Sequence, residues 1–171
     1  MRVLASWLLI IGLSVGALAQ TVRDAVNLAN QGKTQEAIEA FEALYQRDEN
    51  NATVVSWLGY LYLRTGKYAE AVPMLERATR LTPRNAEAWN NLGNAYLHTN
   101  QLEKSINAYR KAIELKPNDA DAHYNLGNLY TKTRQYQKAV EHYQRAIQLN
   151  PRDANAHNNL GYAFQMQQLN S

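Results

Sequence analysis

This 171-residue sequence predicts an all-α fold, an α-solenoid of stacked antiparallel helix pairs. Three observations carry the prediction. First, the residues Trp89, Leu92, Gly93, Tyr96, Ser105, Tyr109, Ala112 and Pro117 return 34 positions later as His123, Leu126, Gly127, Tyr130, Ala139, Tyr143, Ala146 and Pro151. They stand 34 positions earlier as Val55, Leu58, Gly59, Tyr62, Ala71, Leu75, Ala78 and Pro83. Second, the first half of each copy places marker residues at i, i+3, i+4 and i+7, which is the period of a helix face. Third, Asn51, Asn85, Asp119 and Asp153 precede the copies, while Pro83, Pro117 and Pro151 close them. A fixed period of this length marks a repeat array, in which a unit buries its apolar faces only by stacking on its neighbours.

Composition agrees. With 46% hydrophobic and 19% charged residues the chain is globular. Its 18 basic and 15 acidic side chains leave a net charge of +3, which is no electrostatic footprint for nucleic acid. It has no cysteine, which excludes disulfides, thiolate metal sites and a lipidated cysteine.

Residues 1–19 read as a secretory signal peptide. Met1-Arg2 forms the positive start, Val3 to Val15 is largely apolar, and Ala17-Leu18-Ala19 forms a cleavage site before Gln20. The apolar run is short for a membrane span of about 20 residues. The expected location is therefore periplasmic or secreted; an uncleaved membrane anchor is the alternative. Residues 20–51 form a degenerate first repeat, in which Val22, Ala25, Val26 and Ala29 still keep helical spacing. Residues 52–85, 86–119 and 120–153 are full repeats, each entered through a residue suited to capping a helix. Residues 154–171 supply one closing helix, expected to turn its Asn and Gln residues outward. Between the helices of each pair stand Gly32, Gly66, Asn100 and Arg134; Arg tolerates a positive φ poorly, so slight strain is expected at the last. Pro73 falls inside a second helix, where a local kink is expected.

In period and markers the chain resembles the tetratricopeptide-repeat (TPR) family. That resemblance implies a right-handed superhelix of less than one turn and a concave groove lined by the first helix of each repeat. At 100° per residue, positions 4, 7, 8 and 11 of that helix share one arc, and positions 2, 5, 6, 9, 12 and 13 lie opposite. The opposite face is rich in amides and aromatics. The candidate peptide-binding residues are Trp57, Tyr60, Asn90, Asn91, Asn94, Tyr124, Asn125, Asn128, Asn158, Asn159 and Tyr162. A carboxamide offers a donor and an acceptor and so matches one peptide unit of an extended ligand. Glu87 and Asp121 lie near one rim, Arg64, His98 and Lys132 near the other, and the middle is neutral. The family's carboxylate clamp is absent: Ser56, Asn90 and Tyr124 hold position 5, Glu87 and Asp121 position 2, and Asn91 and Asn125 position 6.

Catalytic and cofactor motifs are not found, and no enzyme activity, cofactor or metal is expected. His123 and His157 replace the position-4 aromatic, one repeat apart, too far to share a metal, and are expected to pack in the core or half-buried. His98 and His142 read as isolated on different faces. The expected partner is a protein or peptide, held within a cell-envelope assembly or secretion complex. Nucleic acid is not expected, and a membrane only if the N-terminal segment is uncleaved. A structural subunit or homo-oligomer joined through its convex face or ends is the rival reading. An accessory role to a glycosyltransferase is a distant third, since no such domain follows the repeats.

Overall fold

The computed structural model describes residues 21–169, among which there are nine helices and no strand. The expected signal segment 1–19 lies outside these residues. The helices fall into two compact units, one ending at Thr82 and one beginning at Pro83. The first unit holds α1 (Val22–Asn30), α2 (Thr34–Arg47), α3 (Ala52–Arg64) and α4 (Tyr68–Leu81). The second holds α5 (Ala86–His98), α6 (Leu102–Leu115), α7 (Ala120–Lys132), α8 (Tyr136–Leu149) and α9 (Ala154–Leu169). This is the all-α helix-pair architecture that the repeat period predicts.

Local chemistry sets where each helix starts and stops. The side chains of Thr21, Asn51, Asn85, Asp119 and Asp153 each accept a hydrogen bond from the backbone N–H three residues on, satisfying an orphan amide of the first turn. Within each pair the turn passes through one left-handed residue: Gly32 (φ 77°), Gly66 (φ 76°), Asn100 (φ 59°) and Arg134 (φ 58°). That conformation lets the next amide reach back five residues, as in Lys67 N–H to Tyr62 O at 2.9 Å and Gln135 N–H to Tyr130 O at 2.8 Å. Glycine adopts it freely, whereas Arg134 carries a Cβ penalty. Pro73 does not interrupt α4, which runs as one helix from Tyr68 to Leu81 with Pro73 on its exposed side.

Close packing within a pair depends on glycine at position 8. A Cβ on Gly59 would stand 2.6 Å from Leu75 Cγ. On Gly93 and Gly127 it would stand 2.6 and 2.7 Å from the rings of Tyr109 and Tyr143. The large residue of the second helix thus fills the notch left by the first. Around these notches the first unit buries Ile38, Phe41, Val54 and Leu58, and the second buries Tyr109, Leu126, Leu129 and Tyr143. A buried hydroxyl adds a bond across the α5–α6 pair, where Ser105 Oγ donates to the Gly93 carbonyl at 2.7 Å.

The closing helix departs from expectation. Ala156 and Ala163 are buried and Leu160 packs on the α6–α8 cluster, but the outward surface of α9 is not wholly polar. Tyr162, Phe164 and Leu169 are 50%, 40% and 72% exposed. The pattern of a first helix includes an apolar arc meant for a pair partner, and none of the described residues covers Gly161, whose added Cβ would meet nothing within 4 Å.

Candidate functional site

In the second unit the face opposite the core arc carries Asn90, Asn91 and Asn94 on α5, Tyr124, Asn125 and Asn128 on α7, and Asn158, Asn159 and Tyr162 on α9. These side chains are not equivalent. Asn94 Oδ1 accepts from Tyr109 Oη at 2.6 Å, and Asn128 Oδ1 from Tyr143 Oη at 2.7 Å, so both carbonyls serve the helix pair. Burial pushes the Tyr109 and Tyr143 phenols up from their ordinary range, which keeps them protonated as donors. Position 6 links successive first helices. Asn125 Nδ2 donates to Asn90 Oδ1 at 3.2 Å, and Asn159 Nδ2 donates to Asn128 Oδ1 at 2.8 Å and Tyr124 Oη at 3.3 Å.

Spare capacity remains after these bonds. A carboxamide has two donor hydrogens and two acceptor lone pairs. Among the described residues, no partner takes Asn90 Nδ2, Asn125 Oδ1 or Asn159 Oδ1, and neither Asn91 nor Asn158 makes a side-chain hydrogen bond. Beside them lies a recess of about 570 Å³ lined by Asn90 and Asn91 together with Arg84, Glu87, Lys116 and Asp121. Its charges are mixed, and Lys116 is engaged by Asp119 at 2.9 Å. Lys132 and His98 are exposed at the other ends of α7 and α5.

The aromatic candidates of the first unit form a separate constellation. Trp57 stacks on Phe41 with centroids 5.8 Å apart and planes 8° apart, and Tyr60 meets its edge at 5.7 Å and 82°. Arg64, one turn further along α3, donates to Tyr60 Oη at 3.2 Å and lies over its ring.

The histidine reading needs two corrections. His142 is not isolated: its Nδ1 lies 3.0 Å from Nδ1 of His123, and its ring packs on Tyr130. The tautomers follow from the acceptors. His123 Nε2 stands 3.2 Å from the Pro117 carbonyl, which only accepts, so Nε2 carries the proton and Nδ1 offers its lone pair to His142 Nδ1–H. Burial pulls His123 below its ordinary value; burial and the His123 ring together bring His142 down to about 4. Sequence spacing hid this pair, because residues 19 apart meet only once α7 and α8 are packed. His157, in turn, is exposed rather than core; among the described residues no second helix covers its face of α9.

A further role of position 4 also escaped the sequence. Trp89 Nε1 donates to the Pro83 carbonyl at 3.0 Å, and His123 and His157 Nε2 do the same to Pro117 and Pro151 at 3.2 and 3.1 Å. A ring N–H at this place ties α5, α7 and α9 each to the proline turn before it. The signal was the six-residue spacing from proline to ring in Pro83–Trp89, Pro117–His123 and Pro151–His157. Among the described residues, no three His, Asp or Glu side chains cluster as a metal site, and no helix is long and apolar enough to cross a membrane.

Comparison with known proteins gives a consistent result. Tetratricopeptide-repeat profiles match residues 28–80, 58–120, 120–153 and 142–169. A crystal structure of MamA superposes with a TM-score of 0.80 at 29% identity, covering 85% of each chain. MamA 41-end from Desulfovibrio magneticus RS-1 gives 0.72 at 30% identity over 77% of this chain and 75% of that one. YrrB, described as a TPR protein with an unusual peptide-binding site, shares the fold with a TM-score of 0.77 at 20% identity, over 95% of this chain and 84% of its own. No curated protein matches the chain. With four repeat profiles laid along residues 28–169 and solved structures of the same helix-pair architecture, this chain belongs to the tetratricopeptide-repeat family.

Proposed function

We propose that this protein is a non-enzymatic interaction scaffold, exported from the cytoplasm, that holds an extended and largely uncharged protein segment against the amide face of its first helices. The single observation that carries the reading is the set of side-chain amides with unused capacity: Asn90, Asn91, Asn125, Asn158 and Asn159. Such groups match the alternating donors and acceptors of an extended backbone. Asn94 and Asn128 serve in this reading as supports, with their carbonyls held by tyrosine, and Tyr124 and Tyr162 add apolar contact. The printed description of YrrB as peptide-binding supports the same class of partner. Export rests on the N-terminal sequence alone, as does a place in an envelope assembly or secretion complex.

Selection from a displayed library of linear peptides supplies defined ligands for the test. Replacing Asn91, Asn125 and Asn159 together by Ala removes three rungs worth about 0.5–1.5 kcal/mol each. The selected peptides are then expected to bind about 10- to 1000-fold more weakly, while the circular dichroism spectrum is unchanged. Equal affinity of wild type and triple variant overturns the reading. A second reading, self-association, is favoured by exposed Tyr162, Phe164 and Leu169 on α9. Light scattering of the protein with those three residues changed to Ser separates it from the first.

A further inference from the structure

The aromatic group on α3 borders a small recess of about 120 Å³, bounded by Ala29 and Asn30 of α1 and by Trp57, Tyr60, Leu61 and Arg64 of α3. Three properties define what fits. Its walls combine the apolar surfaces of Trp57, Leu61 and Ala29 with the polar side chains of Asn30, Thr34, Tyr60 and Arg64. Its volume is somewhat below the 150 Å³ or so that holds a benzene ring, so it suits one branched aliphatic side chain and not an indole. Its charge is one-sided: none of the residues lining it is acidic, and Arg64, although it donates to Tyr60 Oη, forms no ion pair among the described residues. Stacking of Trp57 on Phe41 and the edge contact with Tyr60 hold the walls in place before any ligand arrives.

We infer that this recess is an anchor subsite for one aliphatic side chain of a bound protein segment, with an acidic side chain directly following it in the ligand. The aliphatic group would displace water from the recess, and the carboxylate would take the guanidinium donors of Arg64 that Tyr60 leaves unused. The inference rests on the reading of this chain as a peptide-holding scaffold and adds the local sequence the ligand must carry, an aliphatic residue followed by Asp or Glu.

Capped dipeptides test it without a known partner. The probe N-acetyl-Leu-Glu-amide is titrated into isotope-labelled protein while the Trp57 indole N–H resonance is followed. Saturable shifts with a dissociation constant around the millimolar range are expected for so small a ligand. N-acetyl-Ala-Glu-amide should bind about 10-fold more weakly, having lost most of the buried aliphatic surface. N-acetyl-Leu-Gln-amide should bind about 3-fold more weakly at low salt, as for an exposed ion pair, and Arg64→Gln should erase that difference while leaving the Leu over Ala preference. No shift at Trp57, equal binding of the Ala and Leu probes, or no effect of the carboxylate at low salt each overturns the proposal. Failure here is distinguishable from failure of the amide face, which is read on the second unit with the triple Asn variant and library-selected peptides. Peptides that need the amides but leave Trp57 untouched sink the anchor alone. A Leu-Glu probe that docks while no peptide depends on the amides leaves the anchor standing.

Discussion

Gly93 and Gly161 occupy the same place in two first helices, yet the same substitution should act on them with opposite sign. Ala is favoured over Gly in a helix interior by about 1 kcal/mol, and that gain is common to both sites. At Gly161 nothing lies within 4 Å of the added methyl, so Gly161→Ala should stabilise by about 0.5–1 kcal/mol. At Gly93 the methyl would sit 2.6 Å from Cδ1 and Cε1 of Tyr109. Ordinary carbon contacts lie at about 3.5–4 Å, so the ring must retreat by around 1 Å. It has nowhere to go: Tyr109 is fully buried, and its hydroxyl is held by Asn94 at 2.6 Å. Overpacking of about 1–3 kcal/mol plus a weakened hydrogen bond worth about 1 kcal/mol outweighs the propensity gain. The expected net result is a loss of about 1–3 kcal/mol, or roughly 3–10 °C in melting temperature. Urea and thermal unfolding followed by far-UV circular dichroism would measure both variants. In a Tyr109→Ala background the notch is empty, and Gly93→Ala should then become neutral or stabilising. A Gly93→Ala protein as stable as wild type, or a Gly161→Ala protein less stable, would refute the notch argument.

Two more outcomes follow from the turns and the histidine pair. Stability should fall with acid through the His123–His142 contact: the folded state holds both rings neutral, so its contribution is complete above about pH 6.5 and is lost as pH drops toward about 4. A fall from 6.5 to about 4 corresponds to at most about 3 kcal/mol, and partial exposure of the His142 ring reduces this to about 1–2 kcal/mol. The charged groups around the pair are Asp119, Arg110, Arg145 and Glu141. His142→Gln should flatten the wild-type slope between pH 6.5 and 4.5 in urea titrations; parallel curves would contradict it. Arg134→Gly should relieve the left-handed backbone at φ 58° and raise the urea midpoint, by about 0.5–1 kcal/mol. An unchanged or lowered midpoint would show that the turn stores no strain.

Much of the molecule is legible in the order of its residues because the controlling interactions are local. Capping by Asn51, Asn85, Asp119 and Asp153 joins residues three apart, and the left-handed turns at Gly32, Gly66, Asn100 and Arg134 involve a few residues each. Periodic recurrence then reveals which helix face is buried, since stacking repeats the same demand at every copy. Even the glycine notch is readable, as a small residue facing Leu75, Tyr109 or Tyr143 at constant spacing.

The candidate face is a different matter. Seven asparagines look alike in one dimension, but the fold divides their labour: Asn94 and Asn128 are bonded to tyrosines, Asn90 and Asn125 to each other, Asn159 to Asn128 and Tyr124, and Asn91 and Asn158 to no side-chain partner among the described residues. One clue did exist. Asn stands at position 9 where Tyr follows fifteen residues later, as in Asn94 with Tyr109 and Asn128 with Tyr143, whereas Tyr60 faces the copy carrying Leu75. Nothing comparable announces the contact of His123 with His142, or the outward turn of Tyr162 and Phe164. Helix formation is decided by neighbours a turn away, so pattern suffices to read it. Whether a polar side chain is spent or free depends on the register and rotamers of packed helices, which are settled to within an ångström only when the repeats close on one another.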